Sequence, residues 1–135
     1  MSLAPHTEEP EVDNTPVEWS LLDSKLYRMN RLYKIVDKNG RVVQFKFNPE
    51  QADLFDNLWY MNIILKARQI GFTTFICIYM LDECLFNHDV EAGVVAHTKP
   101  DASDIFRRKI QFPYDHLPAE IKKHVTKTTD SNVKI

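Results

Sequence analysis

One stretch constrains this chain more than any other: Asn62-Ile63-Ile64-Leu65-Lys66-Ala67-Arg68-Gln69-Ile70-Gly71-Phe72-Thr73-Thr74. It reads as a short apolar run, a basic turn with a single glycine, and the start of an apolar helix. A strand that turns sharply into a helix N-terminus is how α/β proteins hold a phosphate, because unpaired backbone N–H groups and the helix dipole both face the turn. Against the phosphate-loop pattern G-x-x-x-x-G-K-[ST], Gly71 takes the second glycine and Thr73 takes the Ser/Thr. Lys66 stands in place of the first glycine, and Phe72 in place of the lysine. By its residues alone the loop is either a deviant nucleotide site or a tight structural turn. Two features favour the first: Thr73 is placed to offer a hydroxyl to Mg²⁺, and Lys66 and Arg68 flank a turn that could wrap phosphates.

The flanking chain sets the context. Trp19, Leu22, Leu26 and Met29 recur at helical spacing, predicting a short amphipathic helix with Lys25, Arg28 and Arg31 on its wet side. Residues 32–36 and 41–47 are β-rich runs joined by a turn ending in Asn39-Gly40, a hairpin signal, with Phe45 and Phe47 on one face. Asn48-Pro49 opens a further helix with Asn48 as its cap, and Leu54, Phe55, Leu58 and Trp59 form its expected buried stripe. Residues 63–65 then read as a central parallel strand, and residues 73–86 as a helix covered on several sides and ended by Asn87-His88-Asp89.

Ala92-Gly93-Val94-Val95-Ala96-His97 reads as a second buried strand. Thr98-Lys99-Pro100-Asp101 caps the next helix, which turns Ala102, Ile105, Phe106 and Ile110 inward and is broken or kinked at Pro113. A short helix near residues 119–123 and a polar tail from Thr126 follow. The order strand–loop–helix–strand–helix is a βαβα unit and implies a parallel sheet with right-handed crossovers. Two such strands leave both edges open, so the chain reads as a piece of a larger α/β domain.

Composition narrows the class. The chain has 135 residues, 44% hydrophobic and 27% charged, with a net charge of −2, which suits one ordinary globular domain. Five of the acids (Glu8, Glu9, Glu11, Asp13, Glu18) fall in the first 20 residues, which hold no Lys or Arg, so residues 1–18 read as a flexible acidic arm or a docking segment. The remainder is weakly basic, which is compatible with a nucleic-acid partner but is no evidence for one. Cys77 and Cys84 lie in the apolar helical pattern away from any metal-ligand spacing and read as reduced, buried thiols. No signal peptide and no apolar window of about 18 residues appears, so a soluble, cytoplasmic chain without membrane contact is expected.

Lys66 to Thr74 resembles the deviant phosphate loop of large terminase subunits, the DNA-packaging ATPases of tailed bacteriophages, with their Arg-Gln-apolar-Gly core. Residues 92–97, the stretch Asp101-Ala102 through Arg107, and Leu117-Pro118 are similar to that family's next strand and helix. Phe47-Asn48-Pro49-Glu50-Gln51 is similar to its adenine-recognising glutamine motif, so the resemblance spans about residues 32–123. It implies an incomplete P-loop NTPase of the α/β class, a parallel sheet with flanking helices, preceded by a hairpin (32–47) and a disordered acidic arm (1–18). Residues 19–135 would be the N-terminal part of the ATPase domain, with the phosphate loop at 66–74 and a second βα unit at 92–112.

The cofactors implied are ATP and Mg²⁺. Gln51 would contact the adenine edge. Backbone amides of Gln69, Ile70, Gly71, Phe72 and Thr73, with Thr74 closing the motif, would cradle the phosphates. Lys66 would be the phosphate cation, Thr73 the Mg²⁺ ligand and Arg68 a γ-phosphate sensor. The implied partners are double-stranded DNA, the portal protein and the small terminase subunit, in the host cytoplasm at the procapsid vertex; a homo-oligomer is compatible with this. Plainer readings stand beside these: Gln51 as a solvated first-turn residue, Lys66 and Arg68 as rim charges, His97 as a structural histidine, and Arg107-Arg108-Lys109 as a wet helix face rather than a DNA or subunit contact.

The family's hydrolytic Asp-Glu at the end of an apolar strand does not follow residue 97, and Asp82-Glu83, the only such pair, falls inside a helix. The coupling motif and nuclease domain are absent as well. The chain is therefore expected to bind nucleotide without turning it over alone. The competing readings are a segment of a helicase-like ATPase and a non-catalytic interaction module with a structural loop.

Overall fold

The computed structural model describes residues 15–65 and 71–125. The acidic stretch 1–14, the loop residues 66–70 and the tail 126–135 lie outside the described residues. A 3-10 turn, Trp19–Leu21, precedes α1 (Lys25–Arg31), and the hairpin strands are β1 (Lys34–Val36) and β2 (Val42–Gln44). The helices α2 (Pro49–Asn57), α3 (Phe72–Phe86) and α4 (Lys99–Phe106) follow. A π-helical turn, Arg107–Gln111, then leads into α5 (Phe112–Asp115) and α6 (Ala119–Lys122). The chain is thus mixed helix and strand.

The hairpin forms where Asn39-Gly40 predicts it. β1 and β2 pair antiparallel with Lys34 opposite Gln44, Ile35 opposite Val43 and Val36 opposite Val42. Gly40 sits at φ 77°, and Asp37 Oδ1 accepts from the Asn39 and Arg41 amides at 2.8 and 2.9 Å, so the turn is closed by an aspartate side chain. Phe45 and Phe47 share the inner face as their spacing requires, with ring centroids 5.9 Å apart. Phe47 also meets Phe75 of α3 at 5.2 Å, which ties the hairpin to the central helix.

That helix carries the core. Phe75, Ile78 and Leu81 pack with Met29 and Leu32 of the α1 region, Tyr33 and Phe45 of the hairpin, and Leu117 and Ile121 near the described C-terminal end. Cys77 is buried and Cys84 half-buried, both as free thiols. Among the described residues no helix is long and apolar enough to cross a membrane.

Several expectations are corrected. α1 starts only at Lys25, where Ser24 Oγ accepts from the Tyr27 amide. This turns Arg28 inward beside Met29, whereas Trp19 and Leu26 are about half exposed. α2 ends at Asn57, and Leu58 leaves it in extended conformation (ψ 133°), so Trp59 points to solvent instead of completing the buried stripe. Phe106 is likewise nearly half exposed.

Pro113 does not end its helix. The preceding turn widens so that Phe112 N–H donates to Arg107 O five residues back. This π winding takes up the clash and missing donor that a proline imposes on the turn before it.

The two expected parallel strands differ most. Among the described residues the sheet is the two-stranded antiparallel hairpin alone. Residues 63–65 and 92–97 pair with nothing in the sheet, and Ile63, Leu65 and Val95 are 88%, 94% and 87% exposed. A central parallel strand is held by hydrogen-bonded neighbours on its edges, and the described residues provide none for either segment. Burial nevertheless alternates along both: Ile64 and Val94 are half-buried between exposed neighbours, the two-residue period of a strand covered on one face. Ile64 and Val94 line a cleft of about 330 Å³ with Phe72, Thr73, Ile76 and Cys77 of α3.

Candidate functional site

The site predicted from sequence centres on the head of α3, a helix of 15 residues. Gly71 is its N-cap, at φ 76° and ψ 17°. This left-handed conformation costs a side-chain-bearing residue about 1–2 kcal/mol and glycine little. The first bond of the helical ladder runs from Phe75 N–H to Gly71 O at 3.0 Å, so the turn 72–74 precedes the ladder. Lys66, Arg68, Gln69 and Ile70 lie outside the described residues. Phe72 is half-buried, Thr73 is exposed and Thr74 is buried.

Gln51, 20 residues earlier, reaches this same turn. Asn48 caps α2 by accepting from the Gln51 amide at 2.8 Å, and Gln51 Oε1 accepts from the Asn48 amide in return at 3.1 Å. That reciprocal capping box turns the Gln51 side chain back along the helix start. Its Nε2 then donates to Gly71 O at 3.0 Å. Only 4% of Gln51 is exposed, so the solvated first-turn reading does not hold. The N-termini of α2 and α3 are therefore joined by one amide side chain.

A third element contributes a cation that the sequence reading assigned to the wet face. Lys109 Nζ, on the π-helical turn, donates to Thr74 Oγ1 at 2.7 Å across 35 residues. Its neighbours behave as expected: Arg107 and Arg108 pair with Asp104 at 3.2 and 2.9 Å on an exposed face, where such pairs contribute little. The distinction was not readable from three consecutive basic residues; Pro113, which forces the wider turn, is the one sequence signal near it. Burial pushes the Cys77 thiol up, and the nearby Lys109 charge partly offsets this. His97, exposed just before the α4 cap, takes no part in these contacts.

An open cleft of about 590 Å³ lies between α2 and the 63–65 segment, lined by Glu50, Asp53, Leu54, Ile64 and Phe72 among others. Its size would admit a nucleoside. Its two carboxylates suit hydroxyl or amino donors and disfavour phosphate, which leaves the α3 head as the better place for an anion. Among the described residues no group of three or more His, Cys, Asp or Glu side chains could hold a metal ion.

Behind the site, Asp82 is completely buried. It accepts from Arg28 Nε and Nη2 at 3.1 and 2.8 Å and from Tyr33 Oη at 2.7 Å. Lys25 stands 3.6 Å away and also pairs with Glu83. Burial alone would lower the Arg28 pKa, but the hydrogen bonds and charge of Asp82 outweigh it and the net shift is upward. Burial, reinforced by Asp82, pushes the Tyr33 phenol far above its ordinary value. Asp82 is thus an anchor of the helix, consistent with its exclusion as a hydrolytic acid. Compared with known proteins, the chain matches no family model, no curated protein and no solved structure.

Proposed function

We propose that this chain is the N-terminal part of the ATPase domain of a phage large terminase subunit, which binds ATP·Mg²⁺ for translocation of double-stranded DNA into the procapsid. The observation that carries the reading is the Gln51 Nε2 to Gly71 O hydrogen bond of 3.0 Å. It brings the residue of the glutamine motif to the turn that the resemblance reads as part of the phosphate loop, and so supports that reading. The left-handed Gly71 at the head of a long helix adds the geometry on which phosphate loops rely. The alternating burial of 63–65 and 93–96 against α3 is what parallel strands without neighbours would show, and supports a P-loop NTPase sheet completed by further strands.

In this reading the amides at the start of α3 hold the β- and γ-phosphates, with Lys66 as the phosphate cation, Arg68 at the γ-phosphate and Thr73 on Mg²⁺. Double-stranded DNA, the portal protein and the small terminase subunit are the partners, at the procapsid vertex in the host cytoplasm. The family's hydrolytic Asp-Glu ends a strand, whereas Asp82-Glu83 lies inside α3 with Asp82 bound to Arg28 and Tyr33, so binding without turnover is expected of this chain alone.

Isothermal titration with ATP·Mg²⁺ tests the proposal. A saturable heat that Lys66→Ala weakens supports it, and no heat with the wild-type chain overturns it. Steady-state phosphate release by the isolated chain would contradict the expectation of no turnover. The second reading, a non-catalytic interaction module, is favoured by the exposed apolar residues Trp59, Tyr60, Met61, Ile63 and Leu65. It gains if nucleotide fails to bind.

A further inference from the structure

Resting on that nucleotide-site reading, we propose that Gln51 is a positioning residue for the Gly71 turn and leaves the base of the bound nucleotide unread. Any separation of a 6-amino from a 6-oxo purine in that site would then not come from Gln51. To read adenine, a glutamine amide must offer its oxygen to the exocyclic amine and its nitrogen to N7, on a face the base can reach. Both atoms of this amide already have backbone partners: Oε1 accepts from the Asn48 amide at 3.1 Å and Nε2 donates to Gly71 O at 3.0 Å. The partners also dictate which end of the amide points where, since one is a donor and the other an acceptor.

Burial closes the remaining route. With 4% of the residue exposed, little of the amide is left open to a ligand. Swinging the amide outward would undo half of the capping box of α2 and release the Gly71 carbonyl. Close packing points the same way, because a Cβ added at Gly71 would stand 3.0 Å from Gln51 Nε2. The glycine and the glutamine amide are therefore fitted to each other: Gly71 takes the left-handed turn, and Gln51 holds its carbonyl at the point where α3 begins. Discrimination of the base, in such a site, falls to other groups or to none.

The test uses the whole chain titrated with ATP·Mg²⁺ and with GTP·Mg²⁺, for the wild type, Gln51→Glu and Asn48→Ala. Gln51→Glu keeps the acceptor for the Asn48 amide and replaces the donor to Gly71 O with a carboxylate oxygen. Whatever preference the wild type shows between the two nucleotides, Gln51→Glu should leave it unchanged and weaken both equally, by about tenfold, the worth of one hydrogen bond. Asn48→Ala removes a helix cap but leaves the Gln51 contact with Gly71 in place, so it should lower Tm with little change in either affinity. Stability and affinity would then separate, which a merely structural role for Gln51 would not produce. A wild-type preference for ATP of tenfold or more that Gln51→Glu abolishes overturns the proposal.

Amide hydrogen exchange on the nucleotide-free chains keeps the outcomes distinct. Gln51→Glu should speed exchange at Phe75, whose N–H bonds the Gly71 carbonyl, while leaving the last turn of α2 unchanged. If neither nucleotide binds the wild type, the nucleotide reading fails and the positioning role is decided by exchange alone. Unchanged exchange at Phe75 overturns it.

Discussion

Arg28 and Asp82, 54 residues apart, form a two-pronged ion pair in the interior, Nε to Oδ1 at 3.1 Å and Nη2 to Oδ2 at 2.8 Å. The remaining Arg28 nitrogen, Nη1, donates to the Leu22 and Asp23 carbonyls at 2.7 and 3.2 Å, so the guanidinium also ties down the chain ahead of α1. Removing one charge from such a pair leaves the other buried without compensation, at a cost of about 3–5 kcal/mol. Asp82→Ala should lose stability on that scale in urea unfolding, and Arg28→Met combined with Asp82→Leu should recover much of it. A loss near 1 kcal/mol for the single variant would mean that the pair is more hydrated than its burial implies.

Tyr33 gives the chain an alkaline limit. Its folded pKa is raised, chiefly by burial and then by Asp82, while the unfolded phenol titrates near pH 10. Below about pH 10 both states keep the proton and stability is undiminished. Above it the unfolded chain binds fewer protons than the folded one, so stability falls as pH rises, by about 1.4 kcal/mol per pH unit for this single group. Tyr33→Phe should be less stable at neutral pH by about 1–2 kcal/mol, because Asp82 loses a donor, and should lack this group's share of the alkaline slope. Urea midpoints followed from neutrality to about pH 11 read both effects.

Asp37 sets the corresponding acid dependence of the hairpin. The Arg41 amide hydrogen bond, with those of Asn39 and the Arg41 side chain, holds its carboxyl below the usual aspartate range. The stability it contributes is present above the ordinary aspartate pKa, about 3.9, and is lost as pH falls through the lowered folded value. Asp37→Asn should show a smaller loss of stability on acidification than the wild type, seen as converging Tm values at low pH.

Gly71→Ala tests the turn itself. The substitution must adopt φ 76° and place its Cβ 3.0 Å from Gln51 Nε2. Destabilisation of about 1–2 kcal/mol is expected from the backbone conformation alone, with further loss as the Gln51 amide is displaced. An unchanged urea midpoint would show that the turn relaxes freely.

Lys109→Met removes the donor to Thr74 Oγ1. A loss of about 1 kcal/mol is expected, while Arg107→Ala and Arg108→Ala, whose partners are on the exposed face, should cost less than half of that. Equal effects from all three would return Lys109 to the wet face.

Local chemistry made much of this chain legible before any contact was known. Asn39-Gly40 marks the hairpin, Asn48-Pro49 and Thr98-Lys99-Pro100 mark two helix starts, and a single glycine before an apolar run marks the head of α3. Each acts within a few residues, through backbone conformation or a cap, so sequence alone determines it. The inward turn of Arg28, the anchoring of Asp82 and the reach of Lys109 depend on partners 35 to 54 residues away. Helical spacing cannot rank a buried arginine against a solvated one, because the ranking comes from the carboxylate it meets. The same holds for residues 63–65 and 92–97: their apolar, β-branched character is local, but strand pairing belongs to whichever neighbours lie beside them. For the glutamine motif the sequence determined that Asn48 would cap α2, with Gln51 in its first turn. Only the tertiary structure decided that the Gln51 amide would be spent on the Asn48 amide and the Gly71 carbonyl, because the second bond needs α2 and α3 brought head to head.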